Sequence, residues 1–292
     1  MTDRRPLWLI AAPAIFLILW SAGFAIAKLG LNHAQPITLL ALRYSLVLVV
    51  LAPIALVLRP PLPKSGRAWF DVALVGFLIQ VVYFGLAYLA FKAGMSAGGV
   101  AIVVCLQPIL VALLAPRLLG EPVNRKAWAG LALGLAGALI VIWSRSGIRA
   151  EPVLSVVLTV IALLGITAGT LYEKRFGVSH HPVVSNLIQY AVGAGFTVPL
   201  ALLTEDISIS WNAEFIAVMA YLVIGNSILA MSLLLAMIRA GEVSRVSSLF
   251  YLVPAMSALF AWPLLGEAMP PLAWAGLALA GAGVALVSRK PR

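Results

Sequence analysis

The heptapeptide Ala127-Trp128-Ala129-Gly130-Leu131-Ala132-Leu133 recurs unchanged as Ala273-Trp274-Ala275-Gly276-Leu277-Ala278-Leu279, 146 residues later. That offset is half of a 292-residue chain, and other positions obey it. Leu118-Leu119-Gly120-Glu121 falls on Leu264-Leu265-Gly266-Glu267, Pro36 on Pro182, Tyr44 on Tyr190, Pro53 on Pro199, Pro108 on Pro254 and Lys28 on Lys174. Apolar composition produces scattered Ala and Leu identities by chance. It does not readily produce two shared blocks and several shared prolines at one offset. The chain therefore reads as two copies of one unit, residues 1–146 and 147–292.

Each copy is built from apolar runs. Apolar residues make up 63% of the chain and charged residues 10%, where a soluble domain carries roughly 25% charged residues. The runs lie near 7–29, 36–58, 69–91, 97–117, 126–144, 153–173, 182–203, 212–236, 243–265 and 271–288. Each is close to the ~20 residues that cross ~30 Å of hydrocarbon as a helix. In lipid every backbone polar group must be satisfied within the segment, which demands helices. The fold class is thus an all-α polytopic membrane protein with ten transmembrane helices. The first run follows Arg4 and Arg5 and contains Ser21-Ala22-Gly23-Phe24-Ala25, a pattern like a secretory signal. Its length and its place in a repeat make it the first span instead.

Five spans per copy is an odd number, so the second copy inserts upside down. The expectation is an inverted-topology repeat about a pseudo-two-fold axis in the membrane plane, an arrangement suited to alternating access. Basic residues set the direction. With a cytoplasmic N-terminus, fifteen Lys and Arg fall on the inside and four (Lys28, Lys92, Arg145, Arg149) on the outside. That asymmetry puts both termini in the cytoplasm. It also accounts for the net charge of +10 without nucleic acid, because the basic residues sit in short clusters between spans. Cys105 is the single cysteine, so no intramolecular disulfide or thiolate metal site is available. The pattern calls for no cofactor.

Several residues carry a resemblance. The first span contains Leu19-Trp20-Ser21-Ala22-Gly23-Phe24, and the second contains Arg43-Tyr44. Each half has a mid-span proline, a Leu-Gly-Glu turn and a Gly-rich closing span. Over nearly its whole length the chain resembles the EamA-type transporters of the drug/metabolite transporter (DMT) superfamily. Within that family it is similar to the YddG-type exporters of aromatic and other hydrophobic amino acids. It departs from them in having Trp20-Ser21 for Trp-Gly, and its second half lacks such an opening. The resemblance implies a basket of ten helices around a central cavity, with the fifth and tenth spans peripheral. It also implies a bacterial inner membrane, a small-molecule substrate, and a monomer or weak homodimer.

Transport needs polar groups at mid-membrane and helices able to bend. Pro108 and Pro254 lack an N–H and free the carbonyls of Val104 and Phe250. They read as bends in the fourth and ninth spans, gating or merely structural. Gln80, Tyr83 and Tyr88 interrupt the third span, and the repeat places Gln80 on Asn226 of the eighth. These two amides are expected to meet near the axis and line a cavity, with interhelical glue as the alternative. Gln107, Ser244, Ser247, Ser248 and Tyr251 are further candidates. Trp20 and Phe24, at i and i+4, form an aromatic wall or a packing pair. Arg43 lies inside the second span, where an arginine is a functional candidate by default. It is read as structural or gating, with attraction of a substrate carboxylate as the alternative. Glu121 is expected to pair locally, for instance with Arg125. Gly130-x-x-x-Gly134 and Gly276-x-x-x-Ala280 allow close helix approach, either of the fifth span to the tenth or across a dimer.

Acids and histidines lie in loops or near span ends, so no obvious mid-membrane proton relay exists and a facilitative exporter is expected. No phosphate-binding Gly-Lys loop is present. A channel and a membrane enzyme are the alternatives. The first would want charged rings, and the second paired acids or an activated nucleophile.

Overall fold

A computed structural model describes residues 7–95, 100, 103–146, 152–176, 180–240, 243–265 and 270–288. The side chains of Phe24 and Ser244, both singled out from sequence, lie outside what is described. Helix α1 (Leu7–Gly30) leads to α2 (Pro36–Leu58), α3 (Gly66–Lys92), α4 (Gln107–Leu119) and α5 (Arg125–Ser146). The second half runs α6 (Val153–Phe176), α7 (Pro182–Thr204), α8 (Ala213–Ala240), α9 (Val243–Ser248), α10 (Val253–Leu265) and α11 (Pro271–Ser288). Among the described residues there is no strand. Five of these helices, α2, α3, α6, α7 and α8, are long and apolar enough to cross a membrane.

The helices repeat at the sequence offset. Adding 146 to both ends of α1, α2 and α4 gives the ends of α6, α7 and α10. The N-caps of α3 and α8 are alike in kind but one residue out of step with the offset. Ser65 Oγ accepts from Ala68 N at 3.2 Å before α3, and Asn212 Oδ1 accepts from Phe215 N at 2.8 Å before α8.

Two departures from regular α-helix were not expected. Residues Phe77–Gly85 of α3 and Tyr221–Ala230 of α8 are π-helical. The two segments overlap under the offset. Such wide turns weaken the α-helical ladder and mark functional sites in many proteins. The fourth and ninth apolar runs are also not simply bent. Pro108 stands in the first turn of α4, after a turn at Cys105–Leu106. Pro254 stands in the first turn of α10, after a 3-10 turn at Leu249–Tyr251. Proline suits a first helical turn because that N–H has no intrahelical partner anyway. These prolines therefore restart a helix rather than kink a continuous one.

The surface is apolar and the interior mixed. Leu56, Val57, Val153 and Leu203 are among many large apolar side chains left exposed, Leu203 by 83%. So wide an apolar exterior has no counterpart on a monomeric soluble protein and fits lipid. Inside are Gln80, Gln107, Gln189, Asn226 and Arg43, together with the rings of Trp20, Tyr44 and Tyr190.

Helices α5 and α11 make the most extensive helix–helix contact among the described residues. It is a close approach of small residues. A Cβ on Gly130 would lie 2.7 Å from Gly283 O, and one on Gly276 would lie 2.7 Å from Gly137 O. These two contacts exchange under the offset. The glycine stripe noted in the sequence is thus covered within the chain.

Polar clusters tie the helix ends. Glu205, after α7, accepts from Ile37 N at 3.2 Å and Thr38 N at 2.8 Å at the start of α2, and Lys92 lies 3.4 Å away. At the opposite helix ends Arg239 Nε donates to Glu173 Oε1 at 2.6 Å. Its other nitrogens donate to Ser185 Oγ at 2.8 Å and His180 O at 2.7 Å. Asp71 pairs with Arg67 at 3.0 Å and accepts from Tyr172 at 2.6 Å. Glu121 pairs with Lys174 at 3.6 Å, across the two halves.

Candidate functional site

Arg43 sits on the buried face of α2 and is 1% exposed. Its Nε donates to Ser227 Oγ at 2.6 Å and its Nη2 to Asn226 Oδ1 at 2.6 Å. Both acceptors belong to the π segment of α8, so the contact joins the two halves. The guanidinium lies 5.1 Å above the Phe84 ring, and Tyr44, Tyr88 and Tyr190 surround it electrostatically. Among the described residues Arg43 makes no ion pair. Neutral acceptors satisfy its N–H groups without cancelling its charge, and a charge inside a membrane is costly.

The π segments position these groups. Tyr44 Oη donates to Gln80 O at 3.0 Å in the first half, and Tyr190 Oη donates to Ser227 O at 3.0 Å in the second. Each half thus uses a tyrosine from its second helix to satisfy a π-segment carbonyl of its third. The two tyrosine rings lie 5.4 Å apart.

The two expected amides do not pair with each other. Asn226 accepts from Arg43 and donates through Nδ2 to Leu19 O at 3.2 Å. Gln80 is fully buried, and neither its Nε2 nor its Oε1 has a hydrogen-bond partner. The offset pairs Arg43 with Gln189. Gln189 is likewise buried, with both side-chain polar atoms unpartnered. The Arg43–Asn226 pair is therefore mirrored at Gln189 and Gln80 by neutral amides. Gln189 was missed from sequence, and the signal was its equivalence to Arg43. Ser227 and Phe84, also missed, carried no signal of their own.

Trp20 is buried against Phe16 at 5.3 Å, Phe84 at 5.8 Å and Phe250 at 5.8 Å between ring centroids. Its Nε1 has no partner. Phe84 thereby joins the aromatic cluster of Trp20 to Arg43. Tyr83 and Tyr88 are buried, and the Tyr83 ring lies 4.7 Å from Phe84, tilted by 54°. Gln107 is buried at the start of α4 with an unpartnered amide. Tyr251 is buried over Gly134 with an unpartnered hydroxyl, and Ser247 Oγ is unpartnered too, whereas Ser248 is engaged. Buried polar atoms normally find partners. Their concentration on α1, α3, α4, α7 and α9 marks an interior built for polar contacts.

A model described as the EamA-like transporter family matches residues 6–143 and again 153–289. A Salmonella typhimurium protein named "Probable amino-acid metabolite efflux pump" is 27% identical, over 92% of this chain and 91% of its own length. An Escherichia coli K12 protein named "Uncharacterized inner membrane transporter YedA" is 24% identical, over 99% and 93%. A solved structure described only as "Crystal structure of protein" superposes with a TM-score of 0.82. It is 22% identical and covers 97% of this chain and 98% of its own. The family model covers nearly the whole sequence in two consecutive stretches, so the chain belongs to the EamA-like transporter family.

Proposed function

We propose that the chain is an exporter of small amino-acid metabolites with an aromatic or hydrophobic side chain. It works by facilitative alternating access from a bacterial inner membrane, with both termini in the cytoplasm. Ten spans form two inverted five-helix repeats, residues 1–146 and 147–292. The repeated helix bounds and the exchanged glycine contacts of α5 and α11 support this layout. The name of the Salmonella relative supports the substrate class. One observation carries the reading above the others. A buried cation of one half is held by the π segment of the other, beside an aromatic cluster. A polar site on the seam between two halves that rock against each other can face each side in turn.

The experiment is flux into proteoliposomes across a panel of amino acids and their metabolites. Saturable uptake with counterflow is expected, and linear flux without counterflow would indicate a channel instead. An imposed pH difference should not drive a zwitterionic amino acid uphill. Among the described residues, the buried acids Asp71, Glu173 and Glu205 are all partnered near helix ends.

A further inference from the structure

We infer that the site prefers a substrate with net negative charge, a monocarboxylate without an accompanying ammonium, over the zwitterionic amino acid. This rests on the transport reading above and names the favoured charge within that substrate class.

Arg43 is the only basic residue that the sequence places deep inside a span, and among the described residues no acid faces it. The described carboxylates of Asp71, Glu121, Glu173, Glu205 and Glu214 are each engaged elsewhere, by Arg67, Lys174, Arg239, Lys92 and His33. Asp206 lies in the loop after α7. The remaining acids, Asp3, Glu151, Glu242 and Glu267, fall outside the apolar runs or at their edges in the sequence. The groups around the guanidinium are an amide, a hydroxyl, phenols and a ring, none of which is anionic at neutral pH.

A carboxylate changes that balance. It matches the guanidinium fork with two parallel hydrogen bonds and cancels its charge. Asn226 can yield its place, because it keeps a second contact to Leu19 O. An apolar or aromatic body would then lie toward Phe84 and Trp20. An ammonium on the same molecule has no carboxylate to meet. Only neutral acceptors such as the Gln80 and Gln189 amides remain for it, so the occupied site keeps a net positive charge in low dielectric. The equivalent of Arg43 being a glutamine and not an acid is what sets this asymmetry.

The charge also supplies direction. No proton relay is needed to expel a monoanion, since an inside-negative membrane potential pushes it outward. At 100 mV one charge corresponds to a roughly fiftyfold concentration ratio.

Phenylpyruvate and phenylalanine share a benzyl group and differ in net charge, so they test the inference in proteoliposomes. The wild-type protein should move phenylpyruvate at least about ten times faster than phenylalanine. A potassium-diffusion potential should accumulate only phenylpyruvate, toward the positive side. Arg43→Gln should cut phenylpyruvate flux more than about tenfold and phenylalanine flux less than about threefold. Arg43→Lys should keep the order of preference at reduced rate. Equal rates for the two solutes in the wild type, or a preference for phenylalanine, overturn the inference and leave the transport reading standing. Equal loss of both fluxes in Arg43→Gln, with Arg43→Lys no better, also overturns it and makes Arg43 a strut between the halves. Failure of both solutes and of the whole panel to move faster than in protein-free liposomes overturns the transport reading, and this inference with it.

Discussion

Arg43 donates into the opposite half through two neutral acceptors, while Gln80, the counterpart of one of them, holds nothing. Removing each amide should therefore act differently. Asn226→Leu deprives a buried charge of a hydrogen bond worth about 2 kcal/mol. It should lower both the melting temperature in detergent and the transport rate. Gln80→Leu breaks no side-chain hydrogen bond in the structure and removes a buried polar group that has no partner. It should leave the melting temperature unchanged or higher and still slow transport several-fold. Thermal denaturation and flux on the same preparations separate the two. If Gln80→Leu transports at the wild-type rate, Gln80 is not part of the site. The sequence singled out Arg43, Gln80 and Asn226 because polar groups in apolar runs stand out. It did not show who would bind whom. That depends on the rotation of each helix about its axis, which packing sets. In place of the expected Gln80–Asn226 pair, packing turns Asn226 toward Arg43 and the Leu19 carbonyl.

Helix identity and length were legible where an apolar run is long, punctuated and unbroken, whereas the ninth run, 243–265, divides into α9 and α10. The second and seventh runs, 36–58 and 182–203, match α2 and α7 to within a residue. The π segments were not legible, since a shift of one residue in hydrogen-bond register leaves no mark on composition. The restarts at Pro108 and Pro254 were visible only as prolines, and whether such a residue bends a helix or begins one is decided by the turn before it. The small-residue motifs of α5 and α11 were legible as packing surfaces, and the structure shows which partner each takes. Their closeness makes a sharp test. On α11 a Cβ at Gly276 would meet Gly137 O at 2.7 Å, whereas one at Gly281 would meet nothing within 4 Å. Gly276→Ala should destabilise by about 1–3 kcal/mol through overpacking. Gly281→Ala should be neutral or stabilising by up to about 1 kcal/mol, because alanine is the better helix former. Thermal melts of the two single variants read this directly, and equal melting temperatures would mean that α5 and α11 are not in close contact.

The family model matches the molecule twice in succession, and the proposed inversion of the second copy follows from the proposed five spans per copy. Orientation is testable by single cysteines in a Cys105→Ser background, the native thiol being buried and alone. Cysteines beside Lys64 and Lys126 should react with an impermeant reagent only from the cytoplasm, and one beside Asp206 only from outside. External labelling at Lys64 contradicts the assigned orientation. The repeat was legible because prolines and glycine blocks survive at one offset, whereas the Arg43–Ser227 part of the seam was not, since both residues differ from their counterparts, Gln189 and Val81. Arg43 faces Ser227 there, and that contact is where the account places alternating access. The most direct test is a Ser227→Cys variant, in the same Cys105→Ser background, reconstituted and exposed to an impermeant thiol reagent from one side at a time. Alternating access predicts reaction from each side, with an added substrate raising the rate on one side and lowering it on the other. Reaction from neither side, or from both at rates that substrate does not shift in opposite directions, contradicts it.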